Sequence, residues 1–392
     1  MVITIHRGTH QIGGIATEIR SGNTRIIIDM GNELSLDPNF VPADLNIPGV
    51  TDGNGACNAV FFTHYHGDHV GQMIRIRDDV PLYAGALAKD VMLEVAKKRN
   101  DDALLEKLQK IQTFKDGKEI QIGDIRIMPY SIDHSACDSY TFLIEANGKR
   151  LLYTGDFRTH GFRGKALPKI WRKVGRVDAL VTEGTTLSRS NAVPAMSERE
   201  LQQKVRQSLR DYKYVFVLCA STNLERICAL SKAVPRGKYF LCDAYQKRLL
   251  DLLTHHWSEY SELYRNLKVV EYGDNIQKKI EARGGLMVVR ANRKFEEIIK
   301  KFDSEKSIIL YSMWSGYLTK PESKIPEFLK LTGQWEKLHT SGHASHEAIK
   351  ELIEITKPDV VIPMHSEKPE VLKELCPDTK ILLPDDGEEV SL

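Results

Sequence analysis

The stretch Ala59-Val60-Phe61-Phe62-Thr63-His64-Tyr65-His66-Gly67-Asp68-His69 decides how the chain is read. Its first half is an unbroken apolar run, which predicts a short buried strand. Its second half places three imidazoles and a carboxylate within six residues. Val70-Gly71-Gln72-Met73 predicts the start of a helix, so the cluster occupies a strand-to-helix turn. Such a turn folds four side chains into one small volume. Neutral imidazoles and carboxylates are the donors preferred by Zn²⁺ and its borderline neighbours. The competing reading is a polar surface turn that happens to be rich in His. A dinuclear site needs further ligands from elsewhere.

Working outward, the same pattern recurs. Arg25–Met30 is an apolar run that delivers Asp29, a carboxylate that is costly at a buried strand end unless paired. Asp29 is read as a hydrogen-bond acceptor supporting a ligand His, in preference to a turn cap. His134 follows the strand predicted within 119–130. The hairpin around Asn147-Gly148 ends in Gly155-Asp156. The strand 179–182 ends in Glu183. The loop 32–56 is read as irregular, and helices are predicted over 86–99 and 102–112.

Beyond about residue 188, strands and helices alternate. Helices are expected at 198–212, 224–233, 244–257 and 293–302. Strands are expected at 215–220, 238–242, 267–271, 286–290 and 307–311. This predicts a separate parallel-sheet unit over 188–335. Two of its strand ends, Ala220–Asn223 and Ser312–Gly316, read as small and polar, and ligands bind at such carboxyl ends. The tail returns to chemistry with Ser341-Gly342-His343-Ala344-Ser345 and Pro363-Met364-His365, which suggests that it rejoins the first domain.

Composition narrows the class. The chain has 392 residues, 42% of them apolar and 28% charged, and a formal net charge of +2. These values describe a globular protein with room for two cores, and any nucleic-acid surface must be a local patch. One basic stretch stands out: Arg158, Arg163, Lys165, Lys169, Arg172, Lys173 and Arg176, interleaved with Phe157, Phe162 and Trp171. It reads either as a strand-binding rim or as a solvated basic face. The six cysteines form no Cys-x-x-Cys pair and read as buried thiols in a reducing compartment. No signal-peptide core opens the chain and no run of 18 apolar residues occurs, so a cytoplasmic protein without a membrane partner is expected. The histidines at 6, 10, 160, 255, 256, 339 and 346 read as ordinary residues.

Taken in order, these motifs resemble the metallo-β-lactamase superfamily, its β-CASP nuclease branch, and within that most closely the ribonuclease J group. His64, His66, Asp68, His69, His134 and Asp156 match the superfamily motifs one by one, and Asp29 its early acid. Glu183, the Ser341–Ser345 run and His365 match the three elements of the β-CASP branch. A His in the last position goes with RNA-directed members. The resemblance implies an α/β fold, an αββα sandwich of residues 1–187 and 336–392 with a β-CASP cap inserted at 188–335. It implies two Zn²⁺, or Mn²⁺ in their place: one held by His64, His66 and His134, the other by Asp68, His69 and His365, with Asp156 bridging. A metal-bound hydroxide would then attack single-stranded RNA, in 5′→3′ exonucleolytic or endonucleolytic mode. Asp68, Glu183 and His343 are the expected catalytic residues. His343, oriented by Glu183, is a general acid or else a phosphate-positioning donor. Ser341, Gly342, Ala344 and Ser345 would bind an adjacent phosphate, and Ser221 and Asn223 would contact RNA. Relative to ribonuclease J, the C-terminal domain is expected to be absent, and the chain reads Ser366-Glu367-Lys368-Pro369 after the last His. A monomer or homodimer is expected. The rival readings are a DNA nuclease of the same fold, a small-molecule metallo-hydrolase and a non-catalytic RNA-binding scaffold.

Overall fold

The computed structural model describes residues 1–37, 39–189 and 196–392. Pro38, in the expected irregular loop, and residues 190–195, in the expected insertion, lie outside the described residues. The chain divides into two compact units. The first comprises Met1–Leu34, Val41–Pro194 and Gly342–Leu392; the second comprises Ser35–Phe40 and Ala195–Ser341. These limits differ from the expected 188 and 335. The later end has a physical reason: Trp335–Lys337 is a further strand of the second unit's sheet, and Arg226 of that unit holds the Thr340 carbonyl at 3.0 Å.

The first unit is built on two sheets. In one, seven strands run in the order Glu389–Ser391, Val2–Arg7, Ala16–Ser21, Thr24–Ile28, Ala59–Phe61, Leu82–Gly85 and Gln112–Phe114. In the other, six run in the order Val360–Met364, Ala179–Glu183, Lys149–Tyr153, Ser139–Ala146, Ile125–Ile132 and Ile120–Ile122. Alternate residues of a strand share a face. Thus Ile3, Ile5, Ile26, Ile28 and Phe61 meet Phe142, Ile144, Tyr153, Val181 and Ile362 in one buried layer. The other face of the second sheet packs Leu152, Leu180 and Val361 with Trp171 of helix Leu167–Val174 and with Ile349 and Leu352 of helix His346–Thr356. Helices thus cover the sandwich as the αββα architecture requires.

Parallel register positions the site. Ile28 lies opposite Phe61, so Asp29 and Thr63 leave their strands side by side. Tyr153 lies opposite Val181, and Val181 opposite Ile362, so Asp156, Glu183 and His365 emerge from one edge of the second sheet.

The second unit is a six-stranded, fully parallel sheet. Its order is Val269–Glu271, Tyr239–Cys242, Gly285–Val289, Tyr214–Leu218, Ser307–Tyr311 and Trp335–Lys337. Its central strands are buried on both faces, which is why they read as continuous apolar runs.

Two local expectations are corrected. Asp68 and His69 of the His cluster lie in a short helix, Gly67–Val70, so helical structure starts earlier than the expected entry at 70–73, and a 3-10 turn follows at Met73–Arg75. The helix expected to reach 112 ends at Gln109, because Gln112–Phe114 pairs in parallel with Leu82–Gly85. All six cysteines are buried, and none of them forms a disulfide. Among the described residues no helix is long and apolar enough to cross a membrane.

Candidate metal centre

The His turn is clamped before its side chains are considered. Met30 N–H donates to the His69 carbonyl at 2.7 Å, Asn32 N–H to that of Gly67 at 3.0 Å, and Ile15 N–H to that of Asp68 at 3.2 Å. The approach at Gly31 is so close that a Cβ there would lie 1.6 Å from the Asp68 carbonyl oxygen. Glycine is the residue this contact allows.

The side chains then converge in three overlapping groups: His64, His66 and His134; Asp68, His69, Asp156 and His365; and His134, Asp156 and His343. Within each group the donor atoms lie within 4.8 Å of one another. In the first, His66 Nδ1 is 3.2 Å from both His64 Nε2 and His134 Nε2. In the second, His365 Nε2 is 3.2 Å from Asp68 Oδ2. Asp156 sits at the centre, with Oδ2 at 3.3 Å from His69 Nε2, 3.4 Å from His343 Nδ1, 3.9 Å from His134 Nε2 and 4.0 Å from His64 Nε2 and His365 Nε2.

The cluster fits a cation better than it fits itself. Both oxygens of Asp156 and Nε2 of His69 are buried without a hydrogen-bond partner. Leaving such groups unmatched costs several kcal/mol, so a divalent ion is the natural complement. The electrostatics agree. Burial, reinforced by neighbouring imidazoles, holds His64 well below its ordinary pKa. Burial does the same to His134, and brings His66 down to about 4. Neutral imidazole is the form that ligates. Burial also opposes a charge on His69, but Asp156 and Asp29 outweigh it and hold that imidazole well above its ordinary value. The Asp156 side of the cluster thus favours positive charge.

Outer partners orient the rings. Asp29 Oδ2 is 2.9 Å from His69 Nδ1, and its two oxygens also accept from Thr63 N–H and Oγ1, each at 2.8 Å. Thr63 Oγ1 is 3.0 Å from His64 Nδ1, and Thr185 Oγ1 is 2.7 Å from His365 Nδ1. His134 Nδ1 donates to the Gly342 carbonyl at 2.6 Å. Fixing one ring nitrogen in this way aims the other at the site. The two threonines escaped sequence reading. For Thr63 the usable signal was a hydroxyl directly before the His motif; Thr185 offered none. Asp29 and His365 adopt positive φ values of 62° and 53°, conformations that side chains rarely take. Strain of this kind gathers at functional sites.

Glu183 ties the centre to the tail. Its Oε1 accepts from Phe157 N–H at 2.8 Å and from Ala344 N–H at 3.2 Å, and its Oε2 is 3.1 Å from His343 Nδ1. Burial opposes a charge on His343, but Glu183 and Asp156 hold its pKa above the ordinary value. A Cβ on Gly342 would fall 2.4 Å from Ser135 Oγ, so this turn also requires glycine.

Other expected site residues are placed differently. Ser345 Oγ caps helix His346–Thr356 by accepting from Ala348 N–H, and the Ala344 amide is engaged by Glu183. The Ala344 N–H is thus already engaged, whereas the Ser345 hydroxyl, accepting at the cap, keeps its own proton to donate. Ser341, Ser221 and Asn223 belong to the second unit. The basic stretch divides. Arg158 is fully buried against Asp133 at 2.7 Å, and Phe157 and Trp171 pack on each other in the core, so these three are not a rim. Arg176 pairs with Asp359 at 2.6 Å. Lys165, Lys169, Arg172 and Lys173 remain exposed.

Comparison with known proteins agrees with this geometry. Residues 24–211 match the β-lactamase superfamily domain, and residues 330–380 match the Zn-dependent metallo-hydrolase RNA specificity domain. Ribonuclease J of Mycoplasma genitalium is 22% identical over 391 residues, an alignment covering 92% of this chain and 67% of the relative. Ribonuclease J of Helicobacter pylori is 23% identical over 438 residues, covering 100% of this chain and 60% of the relative. An RNase J-like protein of Methanocaldococcus jannaschii is 26% identical over 221 residues, covering 54% of this chain and 49% of the relative. The chain thus spans between 60% and 67% of the length of those two ribonucleases J. A crystal structure of a protein of unknown function from Enterococcus faecalis V583 shares the fold, with a TM-score of 0.79 at 22% identity, covering 100% of this chain and 99% of that one. These matches make the chain similar to the β-lactamase superfamily over residues 24–211 and similar to ribonucleases J over most of its length, and together with the His and Asp cluster they support a metal-dependent hydrolase.

Proposed function

We propose that the chain is a two-metal phosphodiesterase that hydrolyses single-stranded RNA. The observation that carries this reading is Asp156, a buried carboxylate with both oxygens unmatched inside a ring of imidazoles. His64, His66 and His134 would hold one ion, Asp68, His69 and His365 the other, and Asp156 both; Zn²⁺ or Mn²⁺ suits these donors. Two such ions supply an activated water and offset the negative charge that builds at phosphorus.

The chain's own residues do the rest. Asp29, Thr63, Thr185 and the Gly342 carbonyl fix the ring orientations. Glu183, 3.1 Å from Nδ1, steadies the His343 ring and favours its protonated form. His343 is then placed to give a proton to the leaving oxygen as general acid. The second unit corresponds to the β-CASP cap, and Ser221, Asn223 and Ser341 would be its contacts to RNA. The RNA specificity domain match, the names of the relatives and His365 favour RNA over DNA.

The test uses end-labelled single strands of one sequence, as RNA and as DNA, with wild type and Asp68→Ala, supplied with Zn²⁺ or Mn²⁺. RNA cleavage that disappears in the variant is expected, and the ladder separates exonucleolytic from endonucleolytic cutting. Cleavage of DNA alone would move the protein to the DNA-directed side. Cleavage of neither, with metal bound, would overturn the nuclease reading.

A further inference from the structure

We propose that Trp314 and Tyr317 form a stacking platform for unpaired bases at the carboxyl edge of the second unit's sheet. This deepens the single-strand RNA reading and rests on it. The turn after strand Ser307–Tyr311 read as small and polar in sequence, but its dominant feature is aromatic. Trp314 is 45% exposed and Tyr317 41%. Their rings lie 5.5 Å apart at 85°.

The pair is exposed but held. Tyr311 Oη donates to the Trp314 carbonyl at 2.6 Å, and Tyr317 N–H donates to the same oxygen at 3.2 Å. The indole lies against Gly316, where a Cβ would come within 2.3 Å of the ring. Holding the ring in advance lowers the ordering cost of binding. Ser312 N–H donates to the Leu218 carbonyl at 2.9 Å, which sets this turn beside the one carrying Ser221 and Asn223.

The surroundings favour a polyanion over a protein. The aliphatic neighbours Met313 and Leu318 pack towards the core, so only the flat rings face outwards. Lys320 and Lys324 follow in the same loop without an ion pair among the described residues, and Glu322 is the acid between them. Aromatic faces with adjacent cations are how single strands are bound without sequence preference.

The test measures binding of the full chain, supplied with Zn²⁺, to a cleavage-resistant phosphorothioate RNA of about 20 nucleotides. Trp314→Ala is expected to weaken binding about tenfold, with Trp314→Phe close to wild type. An RNA carrying abasic sites should bind wild type as weakly as intact RNA binds Trp314→Ala. RNA should quench tryptophan fluorescence in Trp335→Phe but much less in Trp314→Phe. Equal affinity of wild type and Trp314→Ala for intact RNA would overturn the platform alone. Failure of the wild type to bind RNA at all would overturn the ribonuclease reading with it. A change in oligomeric state on Trp314→Ala would instead assign the pair to a protein interface and overturn the proposal.

Discussion

Arg226 in the second unit and Asp156 in the first are buried almost equally deeply, at 1% exposure each, yet they are treated in opposite ways. The guanidinium is matched on every side. Nε reaches both oxygens of Glu198 at 3.1 Å, Nη1 reaches the Ser312 carbonyl at 3.3 Å and His339 Nδ1 at 3.2 Å, and Nη2 reaches the Thr340 carbonyl at 3.0 Å. The carboxylate of Asp156 has no hydrogen bond at either oxygen. A buried charge that satisfies itself is architecture. One left unmatched among five imidazoles is a place where something else completes the balance.

The largest expected effect tests that contrast at Asp156. Asp156→Asn should lower RNA cleavage on the order of a thousandfold, the scale on which loss of one preorganised charge-stabilising group acts. In metal-free protein the same change should lower the urea midpoint only slightly, because His69 and His343 offset the carboxylate charge at 3.3 and 3.4 Å without a well-formed hydrogen bond to it. A large drop in the metal-free midpoint would mean that Asp156 is structural, and the contrast would collapse.

Arg226 should behave in reverse. Arg226→Met strands Glu198 in the interior and should cost about 3–5 kcal/mol in denaturant unfolding. The double change Arg226→Met with Glu198→Leu should recover most of that loss. If the single variant lost less than about 1 kcal/mol, the network would not be the anchor of the Ser312 and Thr340 turns that the geometry implies.

The same contrast explains what could be read from sequence. The residues of the cluster were legible because each follows an apolar run, and parallel register carries such strand ends to one edge. His64, Asp156 and His365 need no contact information to be found. Arg226 and Glu198, 28 positions apart, had no motif to join them. Charge pattern alone also misled. Arg158 looked like its basic neighbours, but Asp133 draws it inwards, while Phe157 and Trp171 fill the core beneath. Ser345, read for its hydroxyl as a phosphate contact, is also the N-cap of helix His346–Thr356, a role that the sequence pattern equally allowed. Trp335–Lys337 escaped because three exposed residues at a sheet edge carry no apolar signature.

The smallest expected effect concerns His339, the titratable member of the Arg226 network. An arginine can only donate, so His339 Nδ1 accepts its hydrogen bond and must be neutral. Burial, with the Arg226 charge added, brings this imidazole down to about 3. The unfolded chain takes up the proton near pH 6.5 and the folded chain does not. The stability that follows from the neutral ring is therefore present above pH 6.5 and is lost as pH falls towards 3. The slope is at most about 1.4 kcal/mol per pH unit. His339→Gln keeps an acceptor and removes the titration. Urea midpoints of wild type and His339→Gln, followed from pH 7 to pH 5, should converge or cross, with a cumulative shift of about 2 kcal/mol at the acid end. Parallel curves would show that the acid sensitivity of the second unit has another source, and that Arg226 holds its turns without help from a neutral His339.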